Sequence, residues 1–445
     1  MSGMLDLRNR LRQVLGGVLS NPHVRKATFA PVFEERAEDI RICNTVVRDL
    51  KLIYRISDVI PQVIDRVYFI DGTLRTVHVM DIECRGIQVP IFLSQIVVGA
   101  TIRENSELRP YRILNKFVIL APSHVLSTAN CYGIYFSSNI TLDHTGNFYE
   151  KIMNNDILFT DTSLRLQLRA QSINGVSLSI NPEELTGTGN LRSKARNRAK
   201  VIMRIMELLL AYEISRQDRG SFIIMDGPIG LLLPYSRLAG VTNLEVDDFP
   251  SDRYTPQAQR NIYELLSRVI GVVKNVEIIP PNLFPQQGVP FYSFPQVGGL
   301  VDPEKEEVDR DDLRSYILAG YVQLRPNLLR EVPSIWSSAS ALIRIDVPLP
   351  AILESSLSSN WLTFFKQQVD QTELPLTQVL SDYINSSTYS QQRLFEIVSY
   401  IMGEAYPVPS TSPHRMLVEL YSIAETEYWV KSKLLSADEL ASLVY

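Results

Sequence analysis

The sequence has few of the features that mark secreted, zinc-binding or membrane-spanning proteins. Its cysteines, Cys43, Cys84 and Cys131, are far apart and form no C-x-x-C pair, so we expect core residues or free thiols rather than a zinc site or a disulfide framework. No apolar run approaches the roughly 18 residues of a membrane span, and the first residues lack the pattern of a secretory signal. We therefore expect a cytoplasmic protein with no membrane partner.

The chain also lacks an excess of positive charge. It carries 44 lysines and arginines against 49 aspartates and glutamates, a formal net charge of −5. A protein of negative net charge has no general affinity for phosphates, so any contact with a nucleic acid has to come from a local basic patch.

Such a patch lies between residues 192 and 204, where six cations are concentrated. Three of them, Arg196, Lys200 and Arg204, follow each other at every fourth position and share one face of a predicted helix. This face predicts a surface for the phosphate backbone of DNA, and the alternative is a solvated face or a docking surface for another protein. The residues that we assign to DNA binding are Arg192, Lys194, Arg196, Lys200 and Arg204.

Hydrophobic periodicity predicts a helical segment before the main domain. Helical spacing over 4–16 and 33–57 indicates an amphipathic N-terminal segment that comprises residues 1–62. The remainder, 63–445, is predicted to be one domain that carries an insertion at 105–186.

Three extended runs open the main domain and predict an antiparallel meander. Asp71-Gly72-Thr73 and Cys84-Arg85-Gly86 are the predicted turns between them. Further along the chain, a helix that precedes a short apolar strand indicates a parallel crossover, and a segment rich in proline and glycine indicates a surface loop. The predicted elements are strands at 65–71, 75–82 and 87–102, helices at 147–170 and 187–217, a strand at 222–226, a helix at 255–269, a strand at 270–274, a loop at 280–307, a strand at 341–348 and then helices to the C-terminus.

Two of the predicted strands end in an aspartate that is followed by glycine. Asp71 follows the apolar run 67–70, and Asp226 follows the apolar run 222–225. If the strands lie in one sheet, both carboxylates can lie at the same edge, where like charges are tolerated only with a divalent cation or a shared proton between them. The alternative for either aspartate alone is a turn or helix cap, which is a common use of Asp-Gly.

The first of these strands is also similar to the D-x-D-G-T motif of haloacid-dehalogenase-like phosphatases. Phe69, however, stands where that motif has its nucleophilic aspartate. Phosphoryl transfer through an aspartyl intermediate therefore lacks its nucleophile, and a phosphatase-like hydrolase is kept only as an alternative.

The order of the predicted elements is that of a ribonuclease-H-like fold, an α/β architecture with a mixed sheet. Within this fold class the chain resembles the NurA nuclease family over roughly residues 65–430. Thr73 and Pro228 stand where the family usually has serine. The stretches that carry the resemblance are Ile70-Asp71-Gly72-Thr73, Met206-Glu207-Leu208 before Ile224-Met225-Asp226-Gly227-Pro228, Gly271-Val272-Val273-Lys274, Arg344-Ile345-Asp346-Val347-Pro348, and Tyr406-Pro407-Val408-Pro409 followed by His414.

The resemblance implies a metal-dependent site for phosphodiester hydrolysis. Asp71, Glu207 and Asp226 would hold two divalent ions, Mn²⁺ or Mg²⁺, that activate a water molecule. His414 would be a further ligand or would move a proton at the leaving oxygen. Lys274 would hold a phosphate or the attacking water, and its alternative is a salt bridge to one of the carboxylates.

The helix carboxylate has two candidates, Glu207 and Glu213, which point to different faces of one predicted helix. We prefer Glu207, because Met203, Leu210 and Ile214 flank its side, as expected for a face that meets the sheet. The alternative is that both glutamates are solvated helix charges.

By resemblance, the protein would degrade DNA from 5′ to 3′ and would also cut single strands. It would prefer manganese, form a homodimer and process DNA ends with a HerA-type hexameric ATPase. The alternative outside the enzymes is a catalytically inactive adaptor of the same fold that docks on an ATPase or on DNA.

Overall fold

The computed structural model describes the following parts of the chain: residues 2–20, 24–26, 32–34, 46–47, 50–57, 59–64, 66–84, 86–128, 136–142, 148–163, 188–233, 255–274, 276, 278–280, 288–298, 312–324, 342–404 and 420–444. His414 and the preceding Tyr406-Pro407 element lie outside these residues. None of the helices in the described ranges is both long and apolar enough to cross a membrane.

The described residues form strands mainly in the first part of the chain and helices mainly after residue 360. The helices are α1 (Ser2–Leu19), α2 (Ser123–Thr128), α3 (Phe148–Asn154), α4 (Thr188–Gln217), α5 (Pro256–Leu266), α6 (Phe294–Val297), α7 (Trp361–Thr372), α8 (Leu376–Ser386), α9 (Thr388–Gly403), α10 (Tyr421–Lys431) and α11 (Ala437–Ser442). The strands are β1 (Val24–Lys26), β2 (Val32–Glu34), β3 (Val46–Val47), β4 (Leu52–Ile56), β5 (Val67–Cys84), β6 (Ile87–Glu104), β7 (Glu107–Ala121), β8 (Ile157–Asp161), β9 (Phe222–Asp226), β10 (Val269–Val273), β11 (Ile278–Ile279), β12 (Val289–Ser293), β13 (Ile317–Gln323) and β14 (Leu342–Pro348).

Most of these strands form one mixed sheet in the order β4-β12-β13-β14-β10-β9-β5-β6-β7-β8. β5, β6 and β7 form an antiparallel meander, whereas β9 and β10 run parallel to β5. Three antiparallel strands beside two strands parallel to the first are the core of a ribonuclease-H-like sheet. The predicted α/β fold class and the parallel crossover into the strand of Asp226 are confirmed.

The meander is longer than predicted, and one of its predicted turns is wrong. β5 continues without a break through Asp71-Gly72-Thr73, where a turn was predicted. The turn after β5 lies at Gly86, which has φ +76°, and this turn was predicted. The next turn is formed by Asn105 and Ser106, with φ of +52° and +65°, so the meander takes β7 as its third strand. The separate predicted strands 65–71 and 75–82 are therefore one strand.

Two glycines allow helices to pack closely on opposite faces of β5 and β6. A Cβ atom on Gly72 would lie 2.4 Å from Oε1 of Glu207 in α4, and one on Gly99 would lie 2.6 Å from side-chain atoms of α10. Gly99 pairs with Asp71 across the strands. Because successive side chains of a strand point to opposite faces, α10 covers the face that carries Asp71, and α4 covers the other face.

Some predicted elements differ because pairing in the sheet overrides the local pattern. β4 lies within the predicted helix 33–57 and pairs with β12, which itself lies in the predicted loop 280–307. β12 is buried along its whole length between β4 and β13. β8 lies within the predicted helix 147–170, and α3 is the helix that the described residues 148–163 contain.

Other predictions agree with the structure. The predicted helix 4–16 lies within α1, and the helices and strands predicted from 187 to 274 correspond to α4, β9, α5 and β10. β4 from the N-terminal segment 1–62 and β7 from the predicted insertion 105–186 are strands of the main sheet. The domain boundaries themselves stay a prediction.

Cys84 at the end of β5 is disulfide-bonded. Cys84 is buried in the core, as expected, whereas its disulfide bond was not expected.

Candidate metal centre

Asp71 and Asp226 are brought together by the register of two neighbouring strands. β5 and β9 run parallel with Ile70 opposite Met225, so the next residue on each strand is an aspartate. The apolar residues before the aspartates are buried in the main core. The two strands therefore deliver both carboxylates to one place, as the sequence predicted.

Glu427 of α10 completes the cluster. One carboxylate oxygen each from Asp71, Asp226 and Glu427 lies within 4.8 Å of the other two. The sequence did not single out Glu427, because it belongs to no motif. Its one local sign is the i,i+4 spacing to Lys431, with which it forms an ion pair.

Of the three carboxylates, Asp71 is the one that is buried. It is 6% exposed, and its carboxylate makes no hydrogen bond or ion pair with any described residue. Burial, followed by the negative charges of Asp226 and Glu427, raises its pKa well above the usual value. The positive charge of Lys274 opposes this shift without cancelling it, so the buried carboxylate is short of positive charge, which a divalent cation would supply.

Lys274 is the cation that the chain itself places at the cluster. It directly follows β10, and its Nζ lies 3.1 Å from Oδ2 of Asp226 and 3.7 Å from Oε2 of Glu427. The lysine side chain is 6% exposed. The predicted alternative for Lys274, a salt bridge to one of the carboxylates, is what the structure contains.

Glu207 lies beside the cluster but not in it. It is 1% exposed, and Oε2 accepts a hydrogen bond of 2.7 Å from Nη1 of Arg204. Glu207 approaches β5 at Gly72, on the face opposite to the Asp71 side chain. Of the two helix candidates it is still the nearer one, since Glu213 pairs with Arg112 and accepts a hydrogen bond from Tyr149 elsewhere on α4.

Arg204 fixes the turn that follows Asp226. Its Nη1 also donates to the backbone carbonyl of Asp226 at 3.0 Å, and its guanidinium lies against Gly227, whose φ of +101° favours glycine. The turn is held from the other side by buried Asp346, which accepts a backbone hydrogen bond from Ile229. Arg204 was predicted to bind DNA. In the structure it contacts Glu207 and the backbone of Asp226 and so supports the site.

Helix α10, which carries Glu427, is anchored by buried polar contacts. Arg103 of β6 forms a bidentate ion pair with Glu404. The hydroxyl of Ser422, at the start of α10, donates a hydrogen bond of 2.9 Å to the same carboxylate. Thr101 shares a hydrogen bond of 2.6 Å with Thr426, the residue directly before Glu427. These contacts determine where Glu427 lies relative to Asp71.

The other predicted site residues are distributed around this centre. Arg192, Lys194, Arg196 and Lys200 are partly exposed on the first turns of α4. His414 lies outside the described residues, and Phe69 is buried in the core, with a phenyl ring that has no nucleophilic group.

The donor set suits a hard divalent cation. Among the described residues the possible ligands are three carboxylates, and carboxylate oxygens are typical ligands of magnesium, manganese or calcium. The unbalanced charge of buried Asp71 is the structural observation that favours an ion at this position.

Comparison with solved structures finds a similarity to the crystal structure of the NurA nuclease from Sulfolobus solfataricus. The sequence identity is 11%, the TM-score is 0.34, and the match covers 88% of this chain and 86% of that chain. No family model matches the sequence, and no curated protein does. The matched structure is from the family that the sequence motifs resemble.

Proposed function

We propose that the protein is a divalent-metal-dependent nuclease that hydrolyses phosphodiester bonds in DNA. The observation that carries this proposal is the cluster of Asp71, Asp226 and Glu427, with Asp71 buried and without a partner among the described residues. Burial and like-charge repulsion make such a cluster costly, and a bound divalent cation relieves both, so the cluster favours a metal centre over turn-capping aspartates.

The proposed ligand set differs from the sequence prediction in one residue. Glu427 takes the place of Glu207, because its oxygen is within 4.8 Å of those of the two aspartates. Glu207 instead acts through Arg204, which it holds against the carbonyl of Asp226. We propose that this pair keeps the Asp226 carboxylate at its place in the cluster.

A divalent ion held by these carboxylates would polarise the scissile phosphate and lower the pKa of a bound water molecule. The chain's own residues supply the rest of the site. Lys274 brings a positive charge next to Asp226 and Glu427, where it can also face a phosphate oxygen. We keep the proposal that His414 moves a proton or adds a ligand.

The basic start of α4 is the proposed path of the DNA backbone. Arg192, Lys194, Arg196 and Lys200 are on the helix that leads to Arg204 and the edge of the site. Cations along this helix would bind successive phosphates and direct the strand towards the carboxylates.

The finer properties are proposed from the resemblance of the sequence motifs. They are 5′ to 3′ degradation, cleavage of single strands, a preference for manganese, a homodimer, and a HerA-type hexameric ATPase as partner. The metal centre does not depend on any of these properties, and each of them can be tested in a separate assay.

A nuclease assay tests the central proposal. The wild type should cleave single-stranded or blunt duplex DNA with Mn²⁺ and should be inactive in EDTA. Asp226→Asn should abolish cleavage, whereas Asp156→Asn, which changes a half-exposed carboxylate outside the cluster, should not. Metal-independent binding of DNA without cleavage would instead support the inactive adaptor.

A further inference from the structure

We infer that the centre binds a single divalent ion and that the ammonium group of Lys274 takes the place of a second cation. This inference rests on the proposed metal centre. It replaces the pair of ions that the sequence resemblance implies.

The spacing of the carboxylate oxygens fits one ion. Ligands at about 2.1 Å from an octahedral ion are roughly 3 to 4.2 Å from each other. The three oxygens of Asp71, Asp226 and Glu427 lie within 4.8 Å of one another, so small side-chain movements bring them around one centre. A pair of ions would be about 3.5 to 4 Å apart and would require carboxylates that bridge them.

Lys274 occupies the side of the cluster where a second ion would need ligands. Its Nζ lies 3.1 Å from Oδ2 of Asp226 and 3.7 Å from Oε2 of Glu427, so it uses one oxygen of each carboxylate. A second divalent ion in reach of the same oxygens would lie close to the ammonium group and would be repelled by it.

The position of Lys274 is fixed by the sheet. Val272 of β10 pairs with Asp226 of β9, and Lys274 comes two residues later, so its side chain starts from the same face. The side chain is 6% exposed. Because a buried ammonium group is costly unless it is paired with charge, this lysine is not an adventitious surface contact.

The charges lead to the same conclusion. Of the described residues, the three carboxylates and the ammonium group of Lys274 leave a net charge of −2, which a single divalent ion neutralises. Glu207 adds no free negative charge, because Arg204 is paired with it. Lys431 also pairs with Glu427, but its side chain is 52% exposed and lies on the solvent side.

The test is the number of Mn²⁺ ions bound by the full-length, metal-free protein, measured by calorimetric titration. We expect one ion per chain in the wild type and two in Lys274→Met, which keeps the length of the side chain and removes its charge. The matched control Lys431→Met also removes a partner of Glu427 and should still bind one ion. Two ions in the wild type, or one ion in Lys274→Met, would overturn the inference.

Electron paramagnetic resonance of bound Mn²⁺ gives a second readout that needs no variant. An isolated ion should show a six-line spectrum at saturation, whereas two ions at bridging distance would show magnetic coupling and would overturn the inference even if Lys274→Met fails to fold. Coupled ions in a wild type that cleaves DNA would overturn the single-ion inference but would still support the proposed nuclease function. A wild type that binds no Mn²⁺ would overturn both proposals.

Discussion

Asp71 and Gly99 lie opposite each other on neighbouring strands, and the absence of a side chain at Gly99 determines what covers Asp71. Helix α10 packs so closely over Gly99 that a Cβ atom there would lie 2.6 Å from both Trp429 and Val430. Glu427 belongs to the same helix. The glycine on β6 thus allows a carboxylate from the end of the chain to reach the aspartate on β5.

Gly99→Ala should push α10 away from the sheet. We expect it to destabilise the fold by about 1–3 kcal/mol, as overpacking of a close contact does, and to weaken Mn²⁺ binding because Glu427 moves. Urea unfolding and a Mn²⁺ titration measure the two effects. Gly16→Ala is the control, since a Cβ at Gly16 in α1 meets nothing within 4 Å. Equal unfolding midpoints and equal affinities in Gly99→Ala and the wild type would contradict this role.

Asp71→Asn should stabilise the metal-free protein at neutral pH. Burial and the neighbouring carboxylates raise the pKa of Asp71, so the native state binds more protons than the unfolded state from about pH 4 up to the native pKa. Stability is therefore lost as the pH rises through this range, and asparagine removes the loss. In EDTA, the melting temperature of the variant should exceed that of the wild type at pH 7, and the difference should shrink towards pH 4. A lower melting temperature of the variant at pH 7 would refute this explanation.

Arg103→Met should cost more stability than the double variant Arg103→Met with Glu404→Leu. The single change leaves Glu404 buried without its guanidinium partner, which costs about 3–5 kcal/mol, whereas replacing both members of a buried ion pair by apolar residues is often close to neutral. A double-mutant cycle in urea measures the coupling. If the single and double variants lose the same stability, the ion pair does not anchor α10.

The cations at the start of α4 should contribute to DNA binding independently of Arg204. Arg196→Gln with Lys200→Gln should weaken DNA binding and reduce the log–log salt slope by about 0.7 for each phosphate contact on single strands. The control is Lys51→Gln, an exposed lysine beside β4 at the other end of the sheet. A salt slope equal to that of the wild type would assign this face to the docking of a protein partner.

The two aspartates could be predicted because their signal is local. In each case a short apolar run followed by Asp-Gly marks a buried strand and its polar end. The same pattern led to the wrong prediction of a turn at Asp71-Gly72-Thr73, since glycine after aspartate is a common turn signal. Gly72 is instead required by the close approach of Glu207 and Met203 from α4.

Glu427 could not be predicted because its position depends on contacts between distant segments. Its helix is placed by Gly99, by the ion pair of Arg103 with Glu404 and by the contact of Thr101 with Thr426. None of these pairings leaves a local pattern. For the same reason β12 was predicted as a loop, since its pairing with β4 and β13 joins three separate parts of the chain.

The most direct test of the metal centre compares Glu427→Gln with Glu207→Gln. Both changes remove one carboxylate charge near Asp71 and keep the size of the side chain, but only Glu427 has an oxygen within 4.8 Å of those of Asp71 and Asp226. Calorimetric titration of Mn²⁺ into each folded variant should show binding lost in Glu427→Gln and retained in Glu207→Gln. Binding retained in Glu427→Gln and lost in Glu207→Gln would contradict the account.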